Sequence, residues 1–274
     1  MIKIAFVTCV QIGLSCIEEI YNIGGKLDLL ITLKDHKAKD KSGRIFLDKI
    51  SIKHNVPLLK INSVNDKEVI DALVKFDIDW LFIIGWSQIA KKELLSTPKK
   101  GCIGMHPTLL PTGRGRAAIP WAIIKGLDKT GVTMFKLNEG VDTGDIIAQG
   151  EIKLDCEITA TELYEKVNAM HTQLISDKWV DIISDNIQPI KQNNLLATEW
   201  PGRKPEDGKI NEEMTMSEAY TLVRATTHPY PGAFFMRNNS KVIIWNASMN
   251  KNKGDIKLKD GYLELIDYEV LDNE

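Results

Sequence analysis

The chain has 274 residues, enough for one large domain and a smaller one around a core of ordinary size. Apolar residues make up 43%, charged residues 26%, and the formal net charge is -2. That balance excludes the strong field on which a basic-patch binder of nucleic acid or of an anionic membrane relies.

At the amino end, MIKIAFVTCV is an apolar run too short for a bilayer span, lacks a small-residue cleavage site, and is followed by Glu18 and Glu19. It predicts a buried strand and a cytoplasmic protein. Short runs rich in Ile, Leu and Val recur at 27–33, 57–61, 79–85 and 101–106, separated by segments of helical spacing such as DKEVIDALVKF. Strands that alternate with helices predict a parallel sheet covered on both faces. IPWAIIKGL then reads as a helix with Pro120 in its first turn, and TGVTMFKL and DIIAQGEIKL as two strands of an antiparallel hairpin. A long helix is expected over 159–185, where Leu163, Val167, Met170, Leu174 and Ile175 fall at helical intervals and Thr159 or Thr161 precedes acidic residues in the manner of a capping start.

Polar sequence with Pro and Gly follows from Asn186 to Gly208, then a helix near 216–226 and strands near 241–248 and 261–268. The predicted class is α/β: a Rossmann-like, mostly parallel sheet with helices on both faces and a terminal antiparallel hairpin, followed by a small helix-plus-β domain. The expected boundaries are 1–186 for a catalytic domain, 187–208 for a linker and 209–274 for the small domain. Cys9, Cys16, Cys102 and Cys156 form no C-x-x-C pair, which predicts reduced thiols in or near the core rather than a zinc site or disulfides.

The stretch GCIGMHPTLLPTGRGRAAIPW, residues 101–121, concentrates the chemistry. Its letters GRGRAA match G-x-G-x-x-A, yet a dinucleotide fingerprint belongs in the first βαβ unit, after a strand and before a helix. Here it follows Pro111, past the fifth strand. His106 falls at the carboxyl end of that strand, where open α/β sheets form their ligand crevices, and an imidazole there can orient a substrate or exchange a proton. Asp142, in GVDTGD, has turn chemistry as its ordinary role. No third or fourth ligand joins His106, Asp142 and Asp145, so no metal is expected.

Taken together, GCIGMHPTLLPTGRGRAAIPWAIIKG and TGVTMFKLNEGVDTGDIIAQGEI resemble the folate-dependent formyltransferases, which carry a His-Pro-Ser/Thr-Leu-Leu-Pro loop and a downstream Asp-x-Gly turn. RKPEDGKI and RATTHPYPGAFF resemble the family's carboxyl-terminal region, so the likeness extends over most of residues 80–236. The resemblance implies transfer of a formyl group from 10-formyltetrahydrofolate to an amine, with His106 and Asp142 in the catalytic positions. Such a reaction builds negative charge on oxygen and positive charge on nitrogen, so it needs an oxyanion donor and a proton acceptor.

The same resemblance implies cofactor contacts at Ile84, Gly85, Trp86, Gly140 and Val141, and substrate contacts at Thr108, Arg114 and Arg116, with the two arginines meeting phosphates. It also implies a cis Leu110-Pro111 bond. One position departs from the pattern: the family commonly has an asparagine two residues before the histidine, and this chain has Gly104. The expectation is that another donor, with Gln88 and Asn138 as candidates, a bound water or a different division of labour takes its place.

Among acceptors, the chain is most similar to the sugar N-formyltransferases, relatives of methionyl-tRNA formyltransferase. The expected substrate is a UDP- or dTDP-linked 4-amino-4,6-dideoxy sugar, used for surface polysaccharide. Nucleic acid and membrane are not expected as partners, and assembly as a homodimer is expected because related sugar enzymes are often dimers. Methionyl-tRNA formyltransferase is the second reading, set behind because acids offset the lysines after residue 236. A non-catalytic folate or nucleotide-sugar binder is the third, raised by Gly104.

Overall fold

In β1 (Ile4–Val7), alternate side chains point to opposite faces of a sheet and all four residues are buried, so both faces require cover. The structure is a computed structural model describing residues 2–40, 43–238 and 240–272. After β1 the chain forms α1 (Gln11–Asn22), β2 (Leu29–Leu33), α2 (Asp48–His54), β3 (Leu58–Ile61), α3 (Lys67–Lys75), β4 (Trp80–Ile83), α4 (Lys92–Ser96) and β5 (Gly101–His106). These five strands lie in the order β3-β2-β1-β4-β5, every pairing parallel.

A two-residue strand, β6 (Arg114–Gly115), and α5 (Ala118–Ile124) come next, then β7 (Lys129–Lys136) and β8 (Ile146–Lys153). β7 joins the sheet antiparallel to β5, and β8 closes that edge. The α/β class with a mostly parallel sheet is therefore what the chain adopts.

One face packs Ala5, Val7, Leu29, Ile31 and Leu81 against Val69 and Leu73 of α3 and Leu94 of α4. On the other, Phe6 stacks on Phe82 at 5.7 Å, and Phe82 meets Trp179 of α6 (Ala160–Ile183) at 6.4 Å. Each such large side chain, fully buried, contributes about 1.5–3 kcal/mol. The expected capping start of α6 is present: Glu162 accepts from Thr159 N and Oγ1, both at 2.9 Å, and its own N–H donates back to Thr159 Oγ1.

Beyond β9 (Glu199–Trp200), which pairs with β6, lies α7 (Met216–Thr226), opened by a second capping box between Thr215 and Glu218. It packs Ala219, Leu222 and Val223 against an antiparallel sheet of β10 (Ala233–Arg237), β11 (Ser240–Asn250), β13 (Gly261–Leu271) and β12 (Ile256–Leu258), in that order.

The compact units interleave along the chain where single breaks at 186 and 208 were expected. Unit 1 comprises Met1–Arg114, Gly131–Ile152 and Val167–Glu199; unit 2 comprises Gly115–Thr130, Lys153–Lys166 and Trp200–Glu274. Within unit 2, α5 is a neighbour of α7, which is why a segment from mid-chain clusters with the carboxyl-terminal sheet. Of the four cysteines, Cys9, Cys16 and Cys102 are buried as expected, whereas Cys156 is exposed. Among the described residues, no helix is long and apolar enough to cross a membrane.

Candidate active site

His106 ends β5 directly opposite Thr133 of β7, and only 8% of it is exposed. The loop after it is folded back by short polar contacts. Thr108 N donates to His106 O (2.9 Å), Thr133 Oγ1 donates to Thr108 O (2.7 Å), and Leu110 N donates to Thr133 Oγ1 (3.0 Å). Gln149 of β8 donates from Nε2 to both Leu110 O and Thr133 Oγ1, each at 2.8 Å. The Leu110-Pro111 bond is cis, as the resemblance implies. Farther on, Thr198 accepts Gly113 N on Oγ1 and Arg114 N on its carbonyl, both at 2.9 Å.

That pinning sets the Gly113 carbonyl against the histidine, so Nε2–H of His106 donates to it at 2.8 Å. A carbonyl can only accept, which places the ring proton on Nε2 and turns the Nδ1 lone pair outward. Nδ1 faces Asp142 Oδ2 at 3.6 Å, with the two side chains only 10% and 19% exposed. At that separation no direct hydrogen bond closes the gap. The ring nitrogen not bonded to Gly113 thus faces a carboxylate oxygen.

Asp142 stands in the left-handed region with φ +52, a conformation that Asp tolerates better than most residues but at some cost. Two devices hold it. Asn138 Oδ1 accepts from Gly140 N (3.1 Å) and Thr143 Oγ1 (2.7 Å), shaping the turn. Gln192 Nε2 donates to the carbonyls of Asp142 (2.8 Å) and Gly144 (2.7 Å), while its Oε1 accepts from Nε and Nη2 of Arg114. Arg114 is 6% exposed and also donates from Nη2 to Asn194 Oδ1 at 2.7 Å. Its guanidinium is thus engaged with protein amides. Sequence reasoning missed Gln192, which lies in polar sequence with no local motif.

The other expected residues divide as follows. Thr108 is 1% exposed and its Oγ1 has no hydrogen-bond partner among the described residues. Ile84 is buried behind β4, Gly85 has φ +66, and Trp86 Nε1 is a buried donor with no partner among the described residues. Trp86 and Leu137 pack on the same core cluster, and Gly140 and Val141 are exposed. Arg116 falls in unit 2, two positions after Arg114 ends a segment of unit 1.

A side chain at Gly104 would meet Leu137, whose Cδ2 lies 2.6 Å from the place a Cβ would take. Leu137 therefore fills the room that an asparagine would need. Gln88 is spent at both ends, accepting from Val64 N (2.8 Å) and donating to Asn62 O (3.1 Å). Asn138 uses only its oxygen, and its amide N–H groups make no hydrogen bond among the described residues.

His171, on α6, is fully buried, and burial pulls its pKa down to about 4 against the pull of the Val167 carbonyl, with the charge of His106 acting in the same downward sense. Its Nδ1–H donates to Val167 O at 2.8 Å. It is a neutral imidazole behind the site.

The match to known proteins agrees with this arrangement. A formyl transferase model matches residues 20–178 and a formyl transferase C-terminal domain model matches residues 203–268. The chain belongs to the formyl transferase family and is an enzyme of that class. It is 31% identical over 239 residues to the bifunctional polymyxin resistance protein ArnA of Wigglesworthia glossinidia brevipalpis, covering 87% of this chain but 36% of that longer protein. It is 31% identical over 254 residues to the methionyl-tRNA formyltransferase of Clostridioides difficile, covering 92% of this chain and 82% of that one. The N-formyltransferase of Helicobacter canadensis, solved with folinic acid and dTDP-3-aminofucose, superposes with a TM-score of 0.69 at 20% identity over 99% of each chain.

Proposed function

We propose that this chain transfers the formyl group of 10-formyltetrahydrofolate to the amine of a UDP- or dTDP-linked 4-amino-4,6-dideoxy sugar. The observation that carries the chemistry is the buried His106–Asp142 pair with Nδ1 turned to the carboxylate. When bound, the folate supplies an N-formyl carbon open to attack by an amine. As the new C–N bond forms, the amine nitrogen becomes acidic; His106 Nδ1 takes its proton, Asp142 stabilises the resulting imidazolium, and the imidazolium would return that proton to the folate nitrogen as its bond to the formyl carbon breaks, which releases tetrahydrofolate and restores the neutral ring. Nε2 stays fixed on Gly113 O throughout, so the ring keeps its orientation. Arg114 and Gln192 act as positioning residues by holding the Asp142 turn.

The orphaned Trp86 N–H and the buried Thr108 hydroxyl are two unspent polar groups fit to meet a polar ligand. Ile84, Gly85, Trp86, Gly140 and Val141 are assigned to the folate, and Thr108 and Arg116 to the acceptor. Asn138, with free N–H groups, takes the donor role toward the formyl oxygen in place of an asparagine at Gly104.

The acceptor assignment draws on charge. β13 exposes Glu264, Asp267 and Glu269, a surface ill suited to tracking RNA phosphates. The Helicobacter canadensis structure, with its dTDP-3-aminofucose, supports a nucleotide-linked amino sugar as the acceptor. Likeness to the Clostridioides difficile enzyme favours initiator tRNA as the second reading. Release of tetrahydrofolate, measured with a panel of amino-sugar nucleotides and with charged initiator tRNA, decides between them. Turnover with a sugar nucleotide is the expected result; turnover with tRNA alone overturns the acceptor, and none with any acceptor leaves a binding protein.

A further inference from the structure

Gln149 lies on β8, the edge strand of the large sheet, and much of its surface is exposed. Both of its amide N–H groups are nevertheless turned inward, to Leu110 O and Thr133 Oγ1, each at 2.8 Å. The residues that accept them are 3% and 0% exposed. A carbonyl only accepts, so it is the amide nitrogen and not the oxygen that faces the loop. A glutamine that served only to solvate an edge strand would leave those donors in water.

This contact saturates Thr133. Its Oγ1 accepts from Leu110 N and Gln149 Nε2 and donates to Thr108 O, the most that a hydroxyl can do. Both groups at its lone pairs can only donate, so its own proton goes to the Thr108 carbonyl. Thr133 also stands directly opposite His106 in the pairing of β7 with β5, which puts the two side chains on one face of the sheet.

Pro111 and Thr112 separate Leu110 from Gly113, whose carbonyl receives Nε2–H of His106 at 2.8 Å. Thr198 ties the far end of this short span, donating to Pro111 O and accepting from Gly113 N. Thr133 and Gln149 tie the near end. The span matters because two acceptors compete for one ring proton: Gly113 O draws it to Nε2, and Asp142 Oδ2, 3.6 Å from Nδ1, draws it to Nδ1. A ring with its proton on Nδ1 has no lone pair there for the proton of an amine. Withdrawal of Gly113 O therefore hands the ring proton to the carboxylate side and blocks the acceptor.

We infer that Gln149 is a positioning residue for formyl transfer: by bracing Leu110 and Thr133 it keeps Gly113 O on the imidazole and the ring proton of His106 on Nε2, against the pull of Asp142. The inference rests on the role of proton acceptor proposed above for His106.

Nitrogen-15 spectra of the histidine side chains in the full chain, recorded above the ordinary histidine titration range and assigned with His106→Ala, report the tautomer without any turnover. Steady-state release of tetrahydrofolate, with whichever acceptor of the panel turns over, reports kcat and KM. Gln149→Leu removes the two donors at similar length, and Gln149→Glu sets an acceptor against the Leu110 carbonyl; both changes fall on an exposed residue, and circular dichroism checks the fold. The natural protein is expected to show the Nε2–H form, and both variants a shift toward Nδ1–H. Their kcat is expected to fall about 10- to 100-fold, the range that a misplacement of up to about 1 Å brings, with KM for the folate kept within about twofold. An unchanged tautomer in both variants overturns the inference whatever the rate, since Gln149 then acts by another route. A natural rate in Gln149→Glu beside a slow Gln149→Leu overturns it as well, because the donors are then dispensable. A shifted tautomer with kcat within about twofold upholds the brace and overturns His106 as the proton acceptor, so the two failures are told apart.

Discussion

Arg114 and Gln192, 78 positions apart in the chain, meet through a single amide oxygen: Nε and Nη2 of the guanidinium both donate to Oε1, at 3.2 and 2.8 Å. The amide nitrogen of the same glutamine then donates to the carbonyls on either side of the Asp142 turn. Gln192→Leu removes all four contacts, and it is expected to lower kcat about 10- to 100-fold with the circular dichroism spectrum unchanged. Gln192→Glu keeps the acceptor for Arg114 but loses the donors, so it should fail to restore activity. Restoration by glutamate, in steady-state assays of tetrahydrofolate release, would show that the donors to the turn are dispensable.

His106→Ala should cost about 10²–10⁴ in kcat, the usual worth of a positioned proton acceptor. Asp142→Asn should cost a similar amount for a second reason: an amide N–H can donate to Nδ1 and occupy the lone pair that accepts the proton. A near-normal turnover rate in Asp142→Asn, measured at saturating folate and acceptor, would remove the carboxylate from the mechanism.

Room at Gly104 is controlled by Leu137. Gly104→Asn alone must displace that side chain and is expected to lower stability by about 1–3 kcal/mol, as overpacking does. Combined with Leu137→Ala, the same change should be less destabilising than the sum of the two single variants. Denaturant melts of the double-mutant cycle measure this coupling. Strict additivity would mean that Leu137 is not what fills the space.

Acid sensitivity should trace to His171. Its pKa lies at about 4 in the folded chain against an ordinary value of 6.5, so between these the unfolded chain holds the extra proton. The sign follows: this contribution to stability is full above about pH 6.5 and is lost as the pH falls toward 4. At 1.36 kcal/mol per unit the loss is about 3 kcal/mol. Urea melts from pH 7 to pH 4 should show that slope in the natural protein and a shallower one in His171→Leu.

The parallel strands were legible because buried β-strands read as apolar runs, and α6 because its buried positions keep helical spacing across a capped start. β6 and β9 were not, since two-residue strands carry no period. His106 and Asp142 came from a resemblance; nothing in composition pairs an imidazole with a turn aspartate so far along the chain. Gln192 was beyond reach for a physical reason: a side-chain amide that bridges an arginine to a distant carbonyl leaves no mark on its neighbours in sequence. Arg114 was expected to meet substrate phosphate because the resemblance implies it, and only the fold shows its guanidinium bound to the amides of Gln192 and Asn194.

The interleaving of the two compact units constrains how this chain can be cut or recombined. A truncation after Glu199 strips α7 from α5, which begins only a few residues beyond the His106 loop, and so bares apolar surface next to the catalytic segment in sequence. The segment from Trp200 onward is thus no detachable adaptor. Chimaeras that seek a new acceptor by exchanging it at one junction will have to carry α5 and the strand ends along with it.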